Sequence, residues 1–371
     1  MKNIYLLKFV FSSFILILSG CMLENDNTQV EPRGQEIPHR ELAKFEPEKG
    51  VLVFAGQDLE SIGGMDKYRN GYVDHFPVPA GVTLYTGMGA GDSSFGENSQ
   101  ALLGVFETMD AGNGPSNMSL IMSHDKFKEC ALAIGLSMVN SEEKVATGEL
   151  DDNIKRLGEF CKNLKNPVFL RIGYEFDGHS WNHYNREAYL TPYKRIKDQF
   201  DRMGVENVAY VWQSTGWVSD PYQLEEWYPG DDYVDWCGFS FFSRWREVEM
   251  IEFARKKGKP VFIAEASATI SGHTVKFDGK TKETILSKPE QAEEAWEKWF
   301  VPFFEMIENN TDVIKAIHYI NTDWKSRPMW FNNPTFQKVD ARLQLNEKIK
   351  SEWSGKMDMD LYLNLSDQPF N

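Results

Sequence analysis

The stretch PVFLRIGYEFDG, residues 167–178, decides the fold. Its β-branched and aromatic residues read as a strand from 167 to 175, apolar on both faces as strands of a buried parallel sheet are. Yet Arg171 lies inside the run, and Glu175 and Asp177 close it, with Gly178 directly behind. A charge in such a strand is costly unless it is paired. Strict alternation groups Arg171, Gly173 and Glu175 on one face.

Seven further runs share this character: 51–56, 81–87, 130–138, 207–214, 234–241, 260–267 and 314–321. Helical patterns separate the later ones, over 151–164, 187–203, 247–257 and 289–308, while 89–128 reads as a long loop. Eight strands in βα rhythm are what a closed barrel requires, so the expected fold class is α/β, a single (β/α)8 (TIM) barrel. An open doubly wound sheet has less support, because no GxGxxG follows the first strand.

The barrel is expected over residues 49–355, with a C-terminal tail at 356–371. Ahead of it, residues 1–20 read as a signal peptide: Lys2 and Lys8 precede a mostly apolar run at 9–18, which is too short to span a membrane. The following LSGC resembles a bacterial lipobox, which implies cleavage before Cys21 and lipidation of that residue. Residues 21–48 are polar and lack periodicity, as a flexible tether would be. The expectation is an exported protein held by a lipid anchor to a bacterial membrane, at the outer membrane or cell surface.

A net charge of −15 argues against a nucleic-acid partner, since phosphate binding needs a basic face. Cys130, Cys161 and Cys237 show no metal-ligand spacing and read as buried thiols, and neither zinc nor EF-hand patterns occur. No cofactor is called for. All eleven tryptophans lie between Trp181 and Trp353.

In such barrels the active site gathers at the C-terminal ends of the strands. Glu175 and Glu265 occupy those positions on the fourth and seventh candidate strands, and on the seventh strict alternation groups Glu265 with Val261 and Ile263. Two glutamates across a cleft suit glycoside hydrolysis, in which one acid protonates the leaving oxygen and one carboxylate attacks the sugar. The pair must differ: aromatic surroundings keep an acid protonated, and an arginine keeps a nucleophile ionised. Tyr174, Phe176, Trp181 and Tyr184 surround Glu175, so it reads as the acid. Glu265 lies among small residues and reads as the nucleophile.

VFLRIGYEFDGHSWNHY, NVAYVWQS, WYPGDDYVDWCGFSFF and KPVFIAEAS together resemble the clan A glycoside hydrolases, most closely family 26, which includes β-mannanases and related endo-β-glycanases. The resemblance covers residues 170–324 and reaches 50–140 only through strand rhythm. It implies a retaining hydrolase of a polysaccharide or oligosaccharide, with Glu175 as acid/base and Glu265 as nucleophile. Two positions depart from the clan. Tyr174 stands where Asn or His usually precedes the acid/base. Phe242 stands where many members have a tyrosine near the nucleophile, so Tyr174 or Arg171 must orient Glu265 instead.

Sugar rings present apolar faces, so aromatic platforms are expected in the cleft. Trp181 and Trp324 are the leading candidates and Trp245 a further one, with Trp212, Trp217 and Trp330 also near strand ends. Trp296, Trp299 and Trp353 read as packing. Gln57, Gln213, His179, Asn182 and His183 are candidate hydroxyl partners. Arg244, Lys325 and Arg327 would serve an anionic galactan or else form ion pairs. The rival from another class is a glycan-binding lipoprotein without turnover.

Overall fold

Eight of the apolar runs form strands in the computed structural model, which describes residues 40–216, 221–242, 247–270 and 283–370. They are β1 (Val51–Gly56), β2 (Gly81–Gly87), β3 (Ala131–Ser137), β4 (Val168–Ile172), β5 (Val208–Ser214), β6 (Trp236–Phe241), β7 (Val261–Ala266) and β8 (Ile314–Tyr319). Each pairs in parallel with the next, and β8 pairs with β1 to close the barrel. A short strand β9 (Tyr362–Leu363) adds to β1. Cys21, Trp217, Arg244 and Trp245 lie outside the described residues, as do the expected signal peptide and most of the expected tether.

The expected helices form for reasons the sequence carries. Asp151–Leu164 starts with two acidic residues at the positive end of its dipole and buries Ile154, Leu157 and Cys161 on one stripe. Arg186–Arg202 is capped by the Asn185 side chain, which accepts from the amides of Glu187 and Ala188. The run 289–308 is interrupted by a π-turn at Trp296–Phe300 between helices Pro289–Ala295 and Val301–Glu308. Between sheet and helices lies the main core, which takes in Trp212, Trp299 and Trp353.

A second core fills the barrel itself. Phe54, Phe169, Trp236 and Phe262 meet at its N-terminal end, with ring centroids 4.8–5.9 Å apart. Phe45 and Phe370 pack on Phe169, and the Trp236 indole donates to the carbonyl of Lys44. Packing therefore takes in residues on both sides of 49–355. The three cysteines are buried and free.

Two local features differ from strict alternation, and both matter for the site. β4 ends at Ile172 rather than 175. Gly173 and Glu175 take left-handed backbone angles, φ 55° and 53°, so Glu175 reaches the barrel mouth from a turn and not as the last residue of a strand face. On β7 the interior residues are Phe262 and Ala264, whereas Val261 and Ile263 face the helices. The β6–β7 register then slips: Phe239 is opposite Ile263, but Ser240 is opposite Glu265. This irregularity turns Glu265 inward, away from the face of the residues it was grouped with.

Phe169 touches most members of the barrel plug, so truncating it leaves a void that its neighbours cannot close. Phe169→Ala is expected to cost about 3–5 kcal/mol of unfolding free energy. Denaturant unfolding checks it, and a loss below about 1 kcal/mol would mean that the plug does not support the barrel.

Candidate active site

Arg171 stands above the aromatic plug, fully buried in the barrel. Its Nη1 donates to Glu265 Oε1 at 2.8 Å, to Gln213 Oε1 at 2.9 Å and to the Ala264 carbonyl at 3.3 Å. The last contact follows from the register slip, because Ala264 and its interior neighbours no longer match strand for strand. The same carbonyl receives His318 Nδ1 at 2.7 Å, while His318 Nε2 lies 3.2 Å from the Gly56 carbonyl. Burial, then the charge of Arg171, pushes the His318 imidazole down to about 3, so it is neutral and has one N–H to give. The shorter contact assigns that proton to Nδ1.

Glu265 is oriented from two sides. Arg171 holds Oε1, and Gln213 Nε2 reaches the same oxygen at 3.4 Å while donating to Ser240 Oγ at 3.0 Å. Ser240 Oγ in turn donates to Glu175 Oε1 at 2.6 Å. The two carboxylates are thus joined through Ser240 and Gln213. Tyr174 makes no hydrogen bond to Glu265 among the described residues, so Arg171 is the orienting donor of the two expected.

Glu175 meets a different environment. Trp181 Nε1 donates to its Oε2 at 2.9 Å. Burial, followed by the nearby charge of Glu265, raises its carboxyl to about 8. Glu175 therefore carries its proton at neutral pH, and the Ser240 contact survives, since a hydroxyl accepts as well as donates.

The turn that presents Glu175 is anchored by its neighbours. The Phe176 ring stacks on Trp212 at 4.4 Å, and its amide donates to the Gln213 carbonyl. Asp177 accepts from Ser214 Oγ at 2.6 Å and from the Thr215 amide at 2.7 Å. Asn182 Nδ2 donates to the carbonyls of Tyr174 and Glu175. Gly178 matters for its missing side chain: a Cβ there would lie 2.5 Å from Trp181 Cε2, so only glycine lets the indole fold back onto the loop and reach Glu175.

Both glutamates open onto a cavity of about 490 Å³. Gln57, Tyr174, Trp181, Asn182 and Trp324 line it too, so seven of the expected site residues meet there. Arg171 and Gln213 lie beneath it and act through Glu265. His179 is exposed outside it, its ring 6.2 Å from Trp227, so it is not placed to meet a bound sugar. His183 is likewise exposed and outside the lining.

The tryptophans divide. Trp181 is 44% exposed and offers an open face beside the acid. Trp324 is only 1% exposed: it stacks on Phe336 at 4.2 Å and donates its N–H to Ser267, so it backs the wall rather than standing free as a platform. Trp212 belongs to the core. Phe242, Trp330 and Phe336 complete the aromatic wall, and Tyr85, Ser94, Phe95, Asn113, Met329 and Asn333 also line the cavity. Of these, Tyr85 had a usable signal, since it has the interior parity of Thr83 and lies near a strand end. Phe242 and Trp330 also had one, from their places after strands six and eight, and the rest come from loops whose path no periodicity gives.

Lys325 pairs with Asp323 and Asp340, and Arg327 with Asp58 and Glu60. Neither lines the cavity, where Glu175 and Glu265 are the only acidic or basic residues (Asp, Glu, His, Lys or Arg) among the described ones.

A closed eight-stranded βα barrel with two facing glutamates after β4 and on β7 is the arrangement of a clan A glycoside hydrolase. The pattern of glycosyl hydrolase family 26 matches residues 132–298. A β-1,3-xylanase of Alcaligenes sp. is 32% identical over 340 residues, covering 88% of this chain and 67% of that protein. The β-1,3-xylanase TXYA of Vibrio sp. is 31% identical over 340 residues, covering 88% and 69%. In structure, the family 26 β-mannanase BoMan26A of Bacteroides ovatus aligns with TM-score 0.55 at 16% identity, covering 86% of this chain and 92% of its own. The chain belongs to glycosyl hydrolase family 26, and it is a glycoside hydrolase.

Because folded Glu175 holds a proton that its unfolded form releases above about 4.5, stability falls as pH rises through the window from there to about 8. Glu175→Gln removes this dependence. Relative to the parent, the variant should gain stability from pH 5 to 8, by at most about 1.4 kcal/mol per pH unit, and hold level above that. Unfolding curves across pH test it, and a constant difference would sink it.

Proposed function

We propose that this chain is a retaining endo-β-1,3-xylanase, with Glu175 as acid/base and Glu265 as nucleophile. The carrying observation is the division between the carboxyls: Arg171 is hydrogen-bonded to Glu265, while Glu175 is buried, forms no ion pair among the described residues and keeps its proton. In the first step a Glu265 oxygen bonds to the anomeric carbon, the glycosidic C–O bond breaks, and the Glu175 proton passes to the leaving oxygen. Water then attacks the same carbon, gives its proton to Glu175 and frees Glu265. Two inversions leave the configuration unchanged.

Both relatives above 30% identity are β-1,3-xylanases, which favours that substrate. The cavity favours a neutral glycan over an anionic galactan, since Lys325 and Arg327 are spent on acidic partners elsewhere. Trp181, beside the acid, would receive the leaving-group side of the chain.

Glu175→Gln and Glu265→Gln are each expected to lose at least about 10³-fold in turnover of β-1,3-xylan. Proton NMR of the first product should show the β-anomer, and product sizing should show internal cleavage. Initial release of the α-anomer would overturn retention, and a parent protein that binds but never cleaves would favour the glycan-binding alternative.

We also propose export and lipid attachment at Cys21, motivated by LSGC after the apolar run. Cys21→Ser should move the protein from the membrane fraction to the soluble one. Unchanged fractionation would remove the anchor.

A further inference from the structure

Tyr85 on β2, Gly135 on β3 and Arg171 on β4 lie in one register line across the barrel wall. A Cβ on Gly135 would sit 2.4 Å from Tyr85 Cδ1 and 2.8 Å from Arg171 Nη2. The middle strand thus contributes no side chain, and the ring and the guanidinium meet over it. The Tyr85 centroid is 4.8 Å from Arg171 Cζ, and Tyr174 closes from another side at 5.4 Å. The two tyrosines are edge-to-face, 5.4 Å apart.

Arg171 donates to Gln213, Ala264 and Glu265 through Nη1 alone, whereas Nε and Nη2 find no acceptor among the described residues. The guanidinium that carries them lies over the rings of Tyr85 and Tyr174. A buried cation against ring faces is held electrostatically, and the hold strengthens away from water.

We infer that Tyr85 is a positioning residue whose ring, laid across Gly135, holds Arg171 so that Nη1 meets Glu265. The inference rests on the reading of Glu265 as nucleophile. Its direct contact is with the nucleophile's side of the site, whereas Glu175 is held by Trp181 and Ser240. The charged and titratable groups around Arg171 are Tyr85 from β2, Tyr174 from the turn after β4, Glu265 from β7 and His318 from β8.

Tyr85→Leu and Tyr85→Phe in the full chain separate ring from hydroxyl. Tyr85→Leu should lower kcat on β-1,3-xylan about 30-fold with KM changed less than about three-fold. It should also move the acidic limb of the kcat/KM profile to higher pH. Tyr85→Phe keeps the ring and should stay within about three-fold of the parent, with the limb unmoved. Gly135→Ala, with Tyr85 intact, should act in the direction of Tyr85→Leu and guards against a leucine variant that fails to fold.

A 2-deoxy-2-fluoro-β-xylosyl fluoride, with the labelled peptide read by mass spectrometry, counts competent sites in every variant. Labelling of a residue other than Glu265 in the parent would overturn the nucleophile reading itself. Labelling at Glu265 with kcat and pH profile unchanged in Tyr85→Leu or Gly135→Ala would overturn the role of Tyr85 alone. So would a Tyr85→Phe variant that falls as far as Tyr85→Leu.

Discussion

The ion pair between Arg171 and Glu265 is the constraint around which the upper barrel is arranged. Removing both charges from water costs several kcal/mol for each, and their attraction offsets this only when the remaining polar atoms are also satisfied. The barrel meets that demand from several strands at once: Gln213 on β5, the Ala264 carbonyl on β7 and the aromatic faces of Tyr85 and Tyr174. Deleting one partner would strand the other charge in the core. The pair contributes less to net stability than to fixing one geometry.

From that constraint follows the unequal treatment of two chemically identical side chains. Both glutamates are buried at the same mouth, yet the one guanidinium there among the described residues is paired with Glu265 and not with Glu175. Glu175 feels burial and the negative charge of Glu265, so the first carboxylate to ionise keeps the second from doing so. The assignment of roles is thus a property of where one arginine points.

The fold was largely legible because its strands are continuous apolar runs that differ from the helices in period. Boundaries failed where the backbone leaves regular geometry: alternation carried β4 through Glu175, but the chain turns at Gly173, and it placed Glu265 with Val261 and Ile263, where the register slip reverses the face. Both departures occur at the two glutamates proposed to react, and functional sites are where strain and irregularity are retained for positioning. The glutamates and Arg171 were readable as charges out of place. Ser240, Phe95 and Phe336 were not, because a serine in a strand or an aromatic in a loop carries no signal until the loops meet.

The anchoring of the turn after β4 has a consequence for descent. Its conformation is fixed by Phe176, Asp177 and Asn182, none of which depends on the Glu175 carboxylate. A lineage that lost this acid would keep the cleft, its aromatic wall and its open indole. On the proposed roles, such a chain would hold glycan without cutting it, so a lectin-like descendant would lie a single codon change away from the hydrolase.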